Sequence, residues 1–290
     1  MGVAATFQSY LSSLELTERE QAEAARQQEA LRERLRGHLA IEVSRLVGSY
    51  HRGTAIRPLK DIDVFVVLDP RRHRREGPEA PLRLLQEIER ALRAGYPQHQ
   101  PRIQGRSVNI EFSGTEIAYD IVPAFAPSGT GAGAEPPYYE IPDRRVSRWI
   151  RTNPLAHREA CVAANARAGD MLNGLIKAAK HWNRANGKPL SSFHIEVMSY
   201  SAFGAKPADP RTGLRDLFRH LASAVQFDCQ DPAHLGRPID ADLTPQERAS
   251  AREQLLQAER IAAAAVEAER WRDDDAAIRG WRSLLGDGFR

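Results

Sequence analysis

Apolar positions along this chain change period several times, and each change marks an element. Residues 5–39 carry a helical pattern. Leu31, Leu35 and Leu39 recur every four residues among charged neighbours, which sets one apolar stripe on a helix. Thr17 opens T-E-R-E with Glu20 at the fourth place, a capping box. We expect this stretch to be a spine helix lying across two lobes. At Ile41 the spacing changes to that of a strand ending at Val47, and D-I-D-V-F-V-V-L, residues 61–68, reads as a second strand. A helix with Leu82, Leu84, Leu85, Ile88 and Leu92 inward comes next. Val108, Ile110 and Phe112 then alternate with Ser107, Asn109 and Glu111, S-G-T turns the chain, and E-I-A-Y-D-I-V-P-A-F returns as the second arm of a hairpin.

Residues 126–137, A-P-S-G-T-G-A-G-A-E-P-P, have no periodicity and are rich in Gly and Pro, which predicts a mobile loop or hinge between lobes. Beyond it the chain is predominantly helical. In residues 171–187, Leu172, Leu175, Ile176, Ala179 and Trp182 fall on one face, and Asn173, Lys177, Lys180 and Arg184 on the other. Gly187 and Pro189 stop that helix. L-S-S-F-H-I-E-V, residues 190–197, starts another. Thr244, Pro245 and Glu247 form a second helix start, with an Ala-rich helix running to about Arg270. Trp281, Leu284, Leu285 and Phe289 close the chain as apolar anchors. The expected fold is α+β, with a mixed-sheet lobe over residues 1–135 and a helical lobe over residues 136–290.

The 290 residues suffice for a substantial core, and 42% hydrophobic with 27% charged is ordinary for a soluble protein. No apolar run reaches the roughly 20 residues of a membrane span, and the first ten residues lack a basic n-region and a long apolar core, so a signal peptide is not expected. Cys161 and Cys229 have no metal-ligand spacing and read as isolated thiols of a reducing compartment, so a cytoplasmic location is expected. The formal charge of +3 suits polyanionic ligands, and nucleotides alone account for it. R-R-H-R-R, residues 71–75, reads as a solvated loop in preference to a nucleic-acid contact.

The chemistry concentrates in residues 46–68, L-V-G-S-Y-H-R-G-T-A-I-R-P-L-K-D-I-D-V-F-V-V-L. Side chains two apart on a strand share a face, so Asp61 and Asp63 project together and Ile62, Val64, Val66 and Leu68 line the other side. Two such carboxylates repel, and a hard cation such as Mg²⁺ holds them together. Gly48 at the end of a strand allows a sharp turn and close approach to a ligand. A short helix opening at Ser49 would aim N–H groups at a phosphate. Phosphate binder and metal carboxylates on adjacent elements suit a nucleoside triphosphate handled as its Mg²⁺ complex.

Other positions carry two readings each. Asp120 in the returning strand is either a salt-bridged or sheet-edge acid or the third acid of a metal triad. Thr54 either donates to a phosphate or base or holds a turn. Lys177 and Lys180 either form a solvated face or neutralise a triphosphate. Ser191 and Ser192 are N-caps or phosphate ligands, and Phe193 is a core residue or a base-stacking face. His194 reads as a packed or hydrogen-bonded histidine.

Taken together, G-S-Y-H-R-G-T-A-I, D-I-D-V, Y-D-I-V-P-A-F, L-I-K-A-A-K-H-W-N-R, L-S-S-F-H-I-E-V and the closing W-R-S-L-L-G-D-G-F resemble the cGAS/DncV-like nucleotidyltransferases of bacterial CBASS anti-phage systems, within the DNA polymerase β-type superfamily. The resemblance implies a polymerase β-like lobe, a helical lobe and an active site in the cleft between them. It implies that Asp61, Asp63 and Asp120 bind two Mg²⁺ ions, with Mn²⁺ as an alternative, and that Gly48 and Ser49 hold the donor triphosphate. Lys180, Lys177 and Ser192 would contact phosphates, and Phe193 takes the place of the family's stacking aromatic, commonly tyrosine. The implied reaction joins NTPs, ATP among them, into a cyclic di- or trinucleotide with release of pyrophosphate. The implied partners are an effector protein that responds to the product and CBASS accessory regulators. No zinc-ligand insertion is present in the sequence, so DNA activation is not expected.

Three rivals stay open at this level. Archaeal CCA-adding enzymes share a similar G-S-x-x-R-G-T and D-I-D stretch but are generally longer. Small-molecule or protein nucleotidyltransferases lack the L-S-S-F-H match. The third is a catalytically silent nucleotide- or RNA-binding module.

Overall fold

The spine helix predicted over residues 5–39 is two helices, because Thr17 interrupts it. Its backbone is extended (φ −69°, ψ 157°), its Oγ1 accepts from Glu20 N at 3.2 Å, and its own N–H donates to Glu20 Oε2 at 2.8 Å. A capping box satisfies the free N–H groups of a helix start, so it begins a helix and cannot sit inside one. The first helix, α1, runs Val3–Ser13 and the second, α2, runs Glu18–Arg36. In this computed structural model, which describes residues 2–73, 75–112, 117–129 and 134–289, the two helices fall in different compact units. A sheet unit comprises Leu16–Arg52 and Leu59–Leu155. A helical unit comprises Met1–Glu15, Gly53–Pro58 and Ala156–Arg290. The units therefore divide near residue 155 and not at the expected 135/136, and the chain enters the helical unit briefly at 53–58.

The sheet unit is built on five strands in the order β1-β2-β5-β4-β3. These are β1 (Ile41–Leu46), β2 (Asp61–Leu68), β3 (Arg102–Ile103), β4 (Val108–Phe112) and β5 (Ile117–Ala124). Only the β2–β5 pair is parallel. Between β1 and β2 lies the one-turn helix α3 (Gly48–His51), and α4 (Ala80–Gly95) follows β2 with Leu84, Leu85, Ile88 and Leu92 buried as predicted and Leu82 only half-buried. On β2, Ile62, Val64, Val66 and Leu68 are all buried on one side. On the other side only the first turn is polar. Past Asp61 and Asp63 that face continues as Phe65 and Val67, which pack with Val47, Ala124, Tyr139 and Ile141.

Tyr139 and Ile141 belong to a hairpin that the sequence reading assigned to helical territory: β6 (Tyr139–Asp143) and β7 (Arg148–Thr152). Phe125 and Glu140 exchange backbone hydrogen bonds, both 2.9 Å, across the Gly- and Pro-rich segment. That stretch is thus closed at its ends within the sheet unit and does not divide the units; residues 130–133 of it, like the S-G-T turn, lie outside the described residues. The basic 71–75 stretch is only partly solvated. Arg71 is exposed, whereas His73 is buried with Nδ1 2.9 Å from Glu87, and Arg75 pairs with Glu140. Arg74 lies outside the described residues.

The helical unit holds α1 with α5 (Pro154–Arg167), α6 (Leu172–Ala185), α7 (Ser192–Ser199), α8 (Pro210–Ala224), α9 (Pro245–Arg270) and α10 (Asp274–Leu285). Phe7 meets Trp281 edge-on at 4.9 Å, and Phe289 at 5.9 Å, so both chain ends close one core with Leu175, Trp182, Phe218 and Leu255. The predicted closing anchors Trp281, Leu284, Leu285 and Phe289 are all buried. Cys161 and Cys229 are buried, and neither forms a disulfide among the described residues.

Candidate active site

The parallel pairing of β2 and β5 places Asp63 directly beside Asp120 and Asp61 beside Ala118. Register partners on adjacent strands point to the same face, and Asp61 shares that face with Asp63 by strand alternation. All three acids therefore rise from one side of the sheet. β5 is an interior strand, which removes the sheet-edge reading of Asp120. Asp120 accepts from Asn109 Nδ2 at 3.0 Å and lies 3.5 Å from Ser107 Oγ, neutral groups from neighbouring β4 and its approach. Burial raises its carboxyl pKa, the amide of Asn109 opposes that, and the charge of Asp61 raises it further. As the side chains stand, no three His, Cys, Asp or Glu among the described residues are drawn around one point. The convergence is set by register, with Asp61 exposed and Asp63 half-buried.

Gly48 ends this face. Its φ is +63°, and a Cβ built there would lie 1.8 Å from Asp63 Oδ2. Only glycine lets the turn close against that carboxylate. The turn is tied to β2 by Val47 N donating to Asp63 O at 2.9 Å, and Ser49 follows in α3. Gly48, Ser49, Asp61, Asp63 and Asp120 thus come together in the sheet unit. Carboxylates rising from one face, with Asp61 raising Asp120 and neutral donors behind Asp120, suit a divalent cation, which would offset that charge.

Five further predicted residues sit in the helical unit and do not form one group. Thr54 is fully buried. Its hydroxyl donates to Glu196 Oε2 at 2.7 Å, which corrects the phosphate- or base-facing reading in favour of the turn-holding one. Lys180 is also buried, and its Nζ donates to Glu196 Oε1 at 2.7 Å and Thr54 O at 2.8 Å. The solvated one of the two readings of the Lys177 and Lys180 face is corrected as well. Lys177 is buried and pairs with Glu15, on the wall of a separate cavity of about 550 Å³ lined also by Gly53, Asn173 and Lys206. Periodicity misplaced these lysines because long aliphatic stems bury readily when an acid waits at the end.

Ser191 caps α7, accepting from His194 N at 3.2 Å, and leaves the neighbouring Ser192 exposed. Phe193 is half-buried, its ring 5.2 Å from that of His157, whose Nε2 lies 2.6 Å from Asp231. His194 is buried, as expected of a packed histidine, and burial lowers its pKa. Asn109 and Glu196 were missed. Asn109 was findable, since pairing the hairpin arms puts it opposite Asp120. Glu196 had no local signal, because Thr54 and Lys180 stand on other elements.

A mixed sheet that presents paired aspartates beside a Gly-Ser turn, together with a helical unit, is the arrangement that the resemblance to nucleotidyltransferases implies. Residues 1–165 match the profile of the Second Messenger Oligonucleotide or Dinucleotide Synthetase domain. The chain belongs to that family. It is 26% identical over 273 residues to a probable cyclic nucleotide synthase of Bacillus cereus (strain VD146), covering 83% of this chain and 80% of the relative. It is 28% identical over 264 residues to a cyclic AMP-AMP-AMP synthase of an Acinetobacter species, covering 84% and 71%. Its fold superposes on Vibrio cholerae DncV cyclic AMP-GMP synthase in complex with nonhydrolyzable GTP, with a TM-score of 0.80, 15% identity and coverage of 100% and 97%. No helix among the described residues is long and apolar enough to cross a membrane.

Proposed function

We propose that this protein joins nucleoside triphosphates, ATP among them, into a cyclic di- or trinucleotide second messenger, releasing pyrophosphate, in anti-phage signalling. The observation that carries the reading is the β2–β5 register that sets Asp63 beside Asp120, with Asp61 on the same face and Gly48 closed against Asp63. Asp61, Asp63 and Asp120 would hold Mg²⁺, two ions by the family resemblance, and bound metal would supply neutralisation of triphosphate charge. The Gly48–Ser49 turn holds the donor phosphates. Asp120, whose carboxyl is raised by burial, is suited to take the proton of the acceptor ribose hydroxyl. The freed oxygen forms a bond to the α-phosphorus, the bond from that phosphorus to the bridging oxygen breaks, and pyrophosphate leaves with the electron pair. Repetition on the linear product, and finally on its own end, closes the ring. Ser192 and Phe193 are proposed nucleotide contacts, the phenyl face stacking on a base. The placement of Lys177 and Lys180 in buried pairs supports a structural role for both.

The test is incubation with radiolabelled NTPs and Mg²⁺ followed by phosphatase and mass analysis. Phosphatase-resistant label is expected from the wild type and not from Asp61→Asn or Asp63→Asn. Label transferred to added tRNA, or full activity in either variant, contradicts the reading; no product under varied metals supports a silent binding module.

A further inference from the structure

We propose that Glu196 is a positioning residue for nucleotidyl transfer, acting through Thr54 on the segment that carries the chain from the Gly48–Ser49 turn to Asp61. The inference rests on the reaction proposed above. Glu196 is 1% exposed. One carboxylate oxygen accepts from the Thr54 hydroxyl at 2.7 Å and the other from Lys180 Nζ at 2.7 Å, while the same ammonium donates to Thr54 O at 2.8 Å. Side chain and backbone of Thr54 are thus gripped together by one ion pair in a closed triangle.

The segment so held, Gly53–Pro58, leaves the phosphate turn at one end and returns three residues before Asp61 (61 − 58 = 3). It is buried at Ala55 and Ile56, and Arg57 N donates to Leu14 O at 3.2 Å. At its far end Lys60 O accepts from Ala118 N at 2.7 Å, next to the start of β2. A short tether with reactive groups beyond both ends transmits a shift at its anchor to those groups.

The energetics favour a geometric role over a stabilising one. Burying a carboxylate and an ammonium carries a large desolvation cost, and well-packed apolar residues of like volume are often as stable or more so. An apolar cluster would hold the helices as well, but it would not fix Thr54 at both its hydroxyl and its carbonyl oxygen.

Thr54→Val tests this, since it keeps the shape and removes the hydroxyl. With the hydroxyl gone, hydrogen exchange of the 53–57 amides is expected to rise about tenfold without any nucleotide. Assayed well below the variant's Tm, kcat is expected to fall on the order of tenfold or more, with KM for the NTP changed less than about threefold. Thr54→Ser, which restores the hydroxyl, recovers kcat. Glu196→Gln produces the same pattern, and the double variant falls little further than the worse single one, because both act on one contact. Unchanged exchange in both single variants overturns the proposal, and so does a lowered Tm with wild-type kcat. If the wild type shows no transfer at all, the reaction reading fails by itself, and the exchange measurement still decides whether Glu196 holds the segment.

Discussion

Replacing Gly48 by alanine puts the site's geometry to its sharpest test. The backbone cost of a side chain at φ +63° is about 1–2 kcal/mol. The steric cost is of another kind. The new methyl would stand 1.8 Å from Asp63 Oδ2, 2.8 Å from its Cγ and 3.2 Å from its Cβ, whereas ordinary contact begins at 3.4 Å. Relief therefore requires that the turn and the carboxylate separate by 3.4 − 1.8 = 1.6 Å. Misplacement by about 1 Å can cost on the order of a hundredfold in rate, so activity is expected to fall by at least that factor. Stability falls far less, by a few degrees in Tm, at about 2–4 °C per kcal/mol for a domain of this size. Gly77→Ala is the control. Its φ is +89°, but its Cβ would meet only the end of Arg83 at 3.5 Å, so it suffers the backbone cost alone and keeps full activity. NTP incorporation and a melting scan on both variants decide the matter. Gly48→Ala activity within about threefold of wild type would mean that Gly48 and Asp63 do not work together, and the site as described would be wrong.

Burial and Asp61 raise the Asp120 carboxyl pKa above its unfolded value, so its ionised form opposes folding: the group favours the native state at acid pH, and that contribution is lost as pH rises through the native pKa. In metal-free buffer Asp120→Asn should raise Tm at pH 8 and give no advantage near pH 3, below the ordinary aspartate value of about 3.9; a lower Tm at pH 8 would contradict the burial argument. Trp281→Ala removes a fully buried ring that meets Phe7 at 4.9 Å and donates to Glu269 at 3.1 Å, so urea unfolding should show a loss of about 3–5 kcal/mol. Thr244→Ala removes the capping box of α9, for an expected loss of about 1 kcal/mol; a neutral result would show that packing alone holds that helix start. Phe193→Ala should weaken nucleotide binding by about 1–3 kcal/mol, while Phe193→Tyr keeps it; equal affinity in the alanine variant returns this ring to the core.

Local patterns determined much of this protein. The D-I-D alternation, the Gly-Ser turn, both capping boxes and the helix stop at Gly187 need only neighbours a few residues away, so they were legible in the chain. The capping box at Thr17 is legible too, and it divides the helical stretch although the apolar stripe through Leu31, Leu35 and Leu39 gives no sign of a break. The β6–β7 hairpin escaped because Tyr139 and Ile141 are strand residues only by virtue of packing on Phe65 and Val67, far back in the chain. Tertiary structure alone decided that Asp120 would stand beside Asp63, since a parallel pairing joins strands that local pattern cannot register. It alone decided that Lys180 would turn inward, because a lysine on a helix is solvated unless a carboxylate from another element, here Glu196, reaches it in the core.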